Sequence, residues 1–327
     1  MKKIIALILV LSLSLFCFAA CKGKNKDNND NDNNDNNLPE EKTYSLAIGI
    51  DVAQDAAEVT KTVALVVTDA NGKIVLCRLD SIALDGTEPT KAFESKAELG
   101  DEYGMLTNND YYGSKLAEWD DQAKAFENYV VGKTAAEVAA IAVNEKGAPT
   151  DAALTAGCTI SVSDFMSAIS KAFESEHKVS FKTSSAFTLG VAVSGSITVE
   201  NNSAEYAADF AGAVMAGGKV VAAIIDSTSA TSAISGTDFG AIEYDGSKLE
   251  QGDEYGMLTN NDYYGSKLAE WYTQAQAFAN FAVGKTATEV AGISIDSDGK
   301  ATDLTTSCTM AVSGYKAALE KAISYAR

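Results

Sequence analysis

Histidine is almost absent from this sequence, and cysteine is scarce. The single histidine is His177, so at most one His-based metal site or Ser/His/Asp triad can be formed. Beyond Cys21 the cysteines are Cys77, Cys158 and Cys308. Because an odd number of cysteines cannot pair completely, a disulfide framework is not expected to hold the chain together.

Basic residues are also in short supply. The chain has 26 lysines and arginines against 45 aspartates and glutamates, which gives a formal net charge of −19. Contact with a phosphate backbone requires a basic face, so the charge argues against nucleic acid or another anionic polymer as a partner.

One 20-residue segment occurs twice without a change. It covers Gly100–Trp119 and Gly252–Trp271, and we call each copy the repeated window. The copies are 252 − 100 = 152 residues apart, which leaves room for one ordinary domain core per copy. The identity is explained equally by a shared functional site and by a recent duplication, and both explanations stay open.

The similarity extends on both sides of the repeated window. Corresponding segments are Tyr44–Ile48 with Phe187–Val191, and Gln122–Val143 with Gln274–Ile295. We therefore assign residues 44–178 to a first unit and 179–327 to a second unit of the same fold.

The N-terminus predicts export and lipid anchoring. The apolar run Ile4–Ala20 is short for a membrane span and is typical of a signal peptide, here residues 1–20. Phe18-Ala19-Ala20-Cys21 resembles a bacterial lipobox, which predicts a lipid anchor on Cys21; a plain signal peptide is the alternative. Residues 21–43, rich in Asn and Asp, then form a solvated tether at the extracytoplasmic face of the cell membrane.

The first part of each unit predicts antiparallel strands. Thr62–Thr68 and Ile74–Leu79 are apolar runs joined by a turn that contains Asn71-Gly72, which is typical of a β-hairpin. Tyr44–Val52 predicts a further strand. The second unit has Gly217-Gly218 at the corresponding turn.

The later part of each unit predicts helices. One apolar helical face consists of Leu116, Trp119, Ala123, Phe126 and Val130, and Gly132 follows at the position of a left-handed cap. Capping boxes that begin at Thr134 and Thr286 predict a short second helix.

A last helix is expected at about 164–174 and again at about 314–325. Strands followed by helices indicate an α+β fold: two tandem copies of one domain, each an antiparallel sheet followed by two or three helices.

Residues 154–161 and 304–311, just before each last helix, are rich in small and hydroxyl side chains. Such a segment at a helix N-terminus favours a phosphate group. The alternative is an ordinary turn with Ser163 or Ser313 near the N-cap.

These segments resemble the FMN-binding domain family of bacterial membrane-anchored flavoproteins, whose motif is Asp-x-x-Ser-Gly-Ala-Thr. The resemblance places the threonine that is esterified by the FMN phosphate at Thr159 and Thr309. The other positions that it assigns to the cofactor site are Cys158, Cys308, Gly157 and Asp303. Neither copy has Ser-Gly-Ala intact.

Tyrosines of the repeated window are candidates for a wall against the isoalloxazine ring. They are Tyr103 and Tyr112 in the first copy, and Tyr255 and Tyr264 in the second. The alternative is a cluster that belongs to the core and has a polar edge. Asp101 and the oxygens that follow it do not fall at the positions of an EF-hand loop, which disfavours calcium.

The resemblance implies a surface lipoprotein that binds FMN and relays electrons from a membrane redox donor. It implies a flavin transferase as a partner, and an electron carrier rather than an enzyme that converts a substrate. The alternative function is a cofactor-free lipoprotein that binds a ligand or another surface.

Overall fold

The computed structural model describes residues 40–112, 115–265 and 267–327. The predicted signal peptide, Cys21 and most of the predicted tether lie outside these ranges, so lipid anchoring stays a prediction. From residue 40 to residue 327 the chain forms one compact unit.

The strands form two antiparallel four-stranded sheets. In chain order they are β1 (Lys42–Asp55), β2 (Glu58–Thr68), β3 (Ile74–Asp85), β4 (Val179–Thr183), β5 (Phe187–Glu200), β6 (Ser203–Ala216), β7 (Lys219–Ser235) and β8 (Asp238–Phe239). The first sheet has the order β3-β2-β1-β4, and the second sheet has the order β5-β6-β7-β8.

The helices follow the strands in each half. They are α1 (Lys96–Leu99), α2 (Asn109–Tyr112), α3 (Trp119–Val130), α4 (Ala135–Ala139), α5 (Ala152–Thr155), α6 (Ser163–Glu174), α7 (Lys248–Gln251), α8 (Asn261–Tyr264), α9 (Trp271–Ala282), α10 (Ala287–Ala291) and α11 (Ser313–Ser324). The predicted α+β class is confirmed. Each half has two helices of 12 residues. Together with the short helices, the described residues contain six helices in the first half and five in the second, more than the two or three per copy that we predicted.

The predicted hairpin turns and caps are confirmed. Gly72 has a φ of 72° at the β2–β3 turn, and Gly217 and Gly218 have φ values of 56° and 77° at the β6–β7 turn. The side chains of Thr134 and Thr286 cap α4 and α10 in complete capping boxes.

The two sheets pack face to face, and a helix covers the outer face of each. Leu46 and Ile48 of β1 belong to a core cluster shared with the second sheet, whereas Ala47 faces the helices of the first half. The approach is close: a Cβ added to Gly212 of β6 would lie 2.4 Å from Leu65 Cδ1 of β2. The order of layers is therefore helix, sheet, sheet, helix.

Glycines let the long helices approach their sheets. A Cβ on Gly49 of β1 would lie 2.1 Å from the Ala168 carbonyl oxygen of α6. A Cβ on Gly190 of β5 would lie 1.8 Å from the Ala322 carbonyl oxygen of α11. Each helix backbone thus rests directly on a strand backbone.

Two reciprocal ion pairs join the first half to the second. Lys171 of α6 binds Glu250 of α7 at 3.1 Å, and Lys321 of α11 binds Glu98 of α1 at 2.5 Å. In both pairs the last long helix of one half contacts the short helix before the repeated window of the other. This reciprocity is that of an isologous dimer interface, here formed within one chain.

The predicted division into two separate domains is not confirmed. Residues 40–327 form a single compact unit, because the two sheets share one core. In addition β4, which falls within the predicted second unit of residues 179–327, pairs with β1 in the first sheet. The predicted boundary at residue 179 is therefore too early, because β4 completes the sheet of the first half. The local sequence pattern could not reveal this pairing, since it joins segments that are far apart in the chain.

One local prediction is wrong. Leu116 does not belong to the buried face of α3, because it lies before the helix and is 44 % exposed. Ser163 and Ser313 do lie next to the N-caps, as the alternative of an ordinary turn places them; the N-cap residues themselves are Val162 and Val312, which make no side-chain cap hydrogen bond.

A lysine is buried between the sheets. Lys61 of β2 has no exposed surface, and its Nζ donates to the Tyr206 carbonyl oxygen at 2.6 Å and to Thr228 Oγ1 at 2.8 Å. Burial lowers the pKa of Lys61 from 10.5 to about 7, although the charges of Glu205 and Asp209 oppose the shift.

This lysine should make stability depend on pH. Between pH 7 and 10.5 the unfolded chain binds more protons at Lys61 than the folded chain, so the free energy of unfolding should rise with pH. The limiting slope is about 1.4 kcal/mol per pH unit. We expect Lys61→Met to reduce this rise in urea denaturation at pH 7, 8 and 9, whereas the exposed Lys182→Met should keep it; equal slopes in all three proteins would contradict the assignment.

Candidate functional site

The candidate site of each half surrounds the repeated window. We call the group Tyr103, Tyr112, Gln122 and Thr159 the first window site. The corresponding second window site is Tyr255, Tyr264, Gln274 and Thr309.

A buried glutamine joins the predicted threonine to the repeated window. The backbone N–H and Oγ1 of Thr159 donate to Gln122 Oε1 at 2.9 and 3.1 Å. Gln122 Nε2 in turn donates to the Ala117 carbonyl oxygen at 2.8 Å and approaches Met105 Sδ at 3.6 Å. The structure therefore brings Thr159 next to the window, 40 residues earlier in the chain.

The second half repeats this arrangement. The N–H and Oγ1 of Thr309 donate to Gln274 Oε1 at 2.8 and 3.2 Å, and Gln274 Nε2 donates to the Ala269 carbonyl oxygen at 2.8 Å. Both glutamines have no exposed surface. They were not among the predicted site residues, although each lies three positions after the last residue of the window and begins the next similar segment.

A glutamate at the start of each long helix fixes the window loop. Glu118 precedes α3, is buried, and accepts the N–H groups of Met105 and Leu106 at 2.7 and 2.9 Å. Glu270 does the same for Met257 and Leu258 at 2.8 and 3.0 Å. Charged acceptors make strong hydrogen bonds, so the loop is held firmly over the helix start.

The predicted tyrosines form close pairs. The ring centroids of Tyr103 and Tyr112 are 5.1 Å apart, and those of Tyr255 and Tyr264 are also 5.1 Å apart. All four rings are partly buried and pack against the core clusters, as the interpretation of a core with a polar edge requires. Each pair still presents one edge to solvent.

More exposed tyrosines lie beside these pairs. Tyr111 and Tyr263 are each 78 % exposed and stand edge-on to Tyr112 and Tyr264. Both belong to the tyrosine-rich segments from which the sequence predicts the aromatic wall, but their exposure could not be read from the sequence. The most exposed tyrosine of each window is therefore Tyr111 or Tyr263.

A lysine lies against the inner side of each tyrosine pair. Lys96 Nζ is 5.5 Å from the Tyr103 ring centroid and 5.7 Å from that of Trp119. Lys248 Nζ is 5.2 Å from Tyr255 and 5.3 Å from Trp271. Burial lowers the pKa of both lysines.

Buried carboxyl groups lie near these lysines and interact with their positive charge. Asp80 and Asp226 lie beneath the window sites, and burial raises their pKa values to about 6 and about 7. Oδ1 of each accepts two backbone N–H groups, from Ser81 and Ala97 in the first half. Asp226 receives the corresponding bonds in the second half.

A further carboxylate comes from a different element in each half. In the first half Asp164 of α6 acts on Lys96, and in the second half Asp209 of β6 acts on Lys248. Gly314 occupies the helix position that corresponds to Asp164, and a Cβ there would lie 2.5 Å from Asp209 Oδ2. Each lysine thus has several carboxyl groups near it, with Glu58 also acting on Lys96, and the two halves supply them from different elements.

The remaining predicted site residues are the two cysteines, Gly157 and Asp303. Cys158 and Cys308 are buried free thiols, and burial raises the pKa of Cys158 to about 11 and also raises that of Cys308. Gly157 packs closely, since a Cβ there would lie 2.9 Å from Ala125 Cβ. Asp303 is exposed, and no hydrogen bond among the described residues joins it to Thr309.

The predicted threonines lie away from the helix N-termini. Thr159 is exposed and Thr309 is partly exposed, and the hydroxyl of each is hydrogen-bonded to its glutamine. α6 begins only at Ser163, four residues beyond Thr159, so the hydroxyl does not lie at the helix N-terminus.

Comparison with known proteins gives no match for this chain, whether to protein-family models, to curated proteins or to solved structures. In the described part of the chain, no helix has the length and apolar character needed to cross a bilayer.

The buried glutamines should be important for stability. Gln274→Leu leaves the Thr309 N–H and the Ala269 carbonyl oxygen without their partner, so we expect the free energy of unfolding to fall by about 1–3 kcal/mol. Gln276→Leu on the solvent side of the same helix should change it by less than about 0.5 kcal/mol. Urea denaturation measures both variants, and equal losses would contradict a special role for Gln274.

Proposed function

We propose that this protein is a membrane-anchored surface lipoprotein that carries FMN at its two window sites and relays electrons. The observation that carries the proposal is the hydrogen bonding of Thr159 and Thr309 to the glutamines that follow the two identical windows. It supports the sequence resemblance because it places each candidate attachment oxygen beside the tyrosine-rich loop.

Each residue of a window site would contribute differently to binding the cofactor. The threonine oxygen would take the phosphate in an ester, and the buried glutamine would orient that threonine. The tyrosine pair would provide an aromatic edge against the isoalloxazine ring. Bound FMN would supply the redox chemistry, and the protein would position it.

The acidity of the chain supports covalent attachment rather than a phosphate pocket. With a formal net charge of −19, the protein would repel a free phosphate. An ester holds the cofactor without a basic pocket. The proposal therefore includes a flavin transferase as a partner, a membrane redox donor, and one site in each of two tandem copies of the unit.

The test is covalent flavin after co-expression with a flavin transferase. We expect the denatured protein to fluoresce, Thr309→Ala to lose the signal of the second site, and the Thr159→Ala/Thr309→Ala variant to lose all of it. The control Thr155→Ala/Thr306→Ala changes nearby hydroxyls and should keep the signal. An unmodified wild-type chain in mass spectrometry would refute the proposal.

A second candidate, a cofactor-free binding protein, is favoured by the exposure of Tyr111 and Tyr263. Exposed tyrosines are common in recognition surfaces. If the protein binds a surface without a cofactor, Tyr111→Ala/Tyr263→Ala should reduce adsorption of the chain to isolated cell envelopes several-fold. Val131→Ala/Val283→Ala, which changes exposed residues outside the windows, should leave adsorption unchanged; equal adsorption of all three proteins would exclude this function.

A further inference from the structure

A cleft separates the end of α6 from the start of the second repeated window. Its volume is about 410 Å³, which falls within the range of small-molecule sites. The first half contributes the segment that follows α6, and the second half contributes α7 and the turn Gly252–Tyr255. The cleft is distinct from the window sites, since no tyrosine pair, Gln274 or Thr309 lines it.

The charge of the cleft is strongly negative. Six carboxyl groups line it: Glu174, Glu176, Asp226, Glu250, Asp253 and Glu254. Burial raises the pKa of Asp226 to about 7, so the negative charge comes mainly from the other five. Lys171, the lysine among the described lining residues, is bound to Glu250 at 3.1 Å. Such a lining attracts cations and repels anions such as FMN.

The cleft continues along an aromatic pair. His177 and Glu176 also line a neighbouring groove of about 490 Å³, together with Tyr272 and Asn280 of α9. The rings of His177 and Tyr272 have centroids 4.6 Å apart, and the Tyr272 hydroxyl donates to Asp253 Oδ1 at 3.0 Å. An apolar ring surface next to carboxylates suits an organic cation with a hydrocarbon body.

The pseudo-equivalent cleft of the other half already contains a cation from the chain itself. It is lined by Ala97 and Glu98, which correspond to Leu249 and Glu250, and its volume is only about 180 Å³. Tyr325 and Arg327 line it, and the Arg327 guanidinium donates to Glu127 Oε2 at 3.3 Å. At this place in the fold, therefore, two arginines, Arg78 and Arg327, line a narrow cleft in one half, whereas carboxyl groups line a wider cleft in the other.

We propose that the cleft between α6 and α7 binds a small organic cation, an amine or guanidinium compound, from the solvent. The carboxylates of Asp253 and Glu254 contact the charged group, and the His177–Tyr272 pair packs against the hydrocarbon part. This site is independent of flavin binding, so it stands whether or not the window sites carry FMN.

The single histidine gives a direct test by NMR. In the untagged full-length chain, purified in a non-ionic detergent, the only histidine ring signals come from His177. We expect agmatine and spermidine to shift these signals saturably, and glutarate, an anion of similar length, to leave them in place. Unmoved signals with both cations would overturn the proposal.

The repeated window supplies a matched control. Asp253→Asn/Glu254→Gln should weaken agmatine binding at least about ten-fold, because each substitution removes a charge from the cleft. Asp101→Asn/Glu102→Gln makes the same change in the same local sequence, but these residues line neither cleft, so binding should stay within about two-fold. Equal weakening by the two variants would show a general charge effect and overturn the assignment. Circular dichroism checks that both variants are folded.

Discussion

The face-to-face packing of the two sheets is the constraint on which the rest of the structure depends. Helices of each half cover the outer face of its sheet, with α6 or α11 resting directly on it, whereas the other sheet covers the inner face. The contact is close enough that Gly212 leaves room for Leu65, and a lysine is buried in it. A half alone would expose this face to water, so duplication of the unit also supplies the missing half of the core.

The same packing places the two window sites in equivalent surroundings. Each window begins beside the short helix that is ion-paired to the other half, through Glu98 or Glu250. The loop that follows is fixed by a glutamate, and the glutamine after it binds the threonine. The change of carboxylate from Asp164 to Asp209 fits this picture, because it alters the residue and keeps the charge near the lysine.

Local features could be predicted from the sequence, and contacts between distant segments could not. The Asn71-Gly72 turn and the capping box at Thr134 depend on neighbouring residues, so their patterns identified them. Gln122 is polar within an apolar helix face, and only the fold shows that it is buried against Thr159. The shared core was missed because identical units are equally compatible with separate domains and with a sandwich.

The two halves are not symmetric at the clefts. The clefts can therefore have a role different from that of the windows. After α11, Tyr325 and Arg327 line the cleft, the Arg327 guanidinium binds Glu127, and the cleft there is narrow. After α6 the chain continues through Glu176 and His177 into β4, which leaves the other cleft wide and acidic. Identical windows can serve one purpose twice, whereas unequal clefts cannot. A ligand of the acidic cleft would therefore bind once per chain, between two halves that otherwise present the same surface.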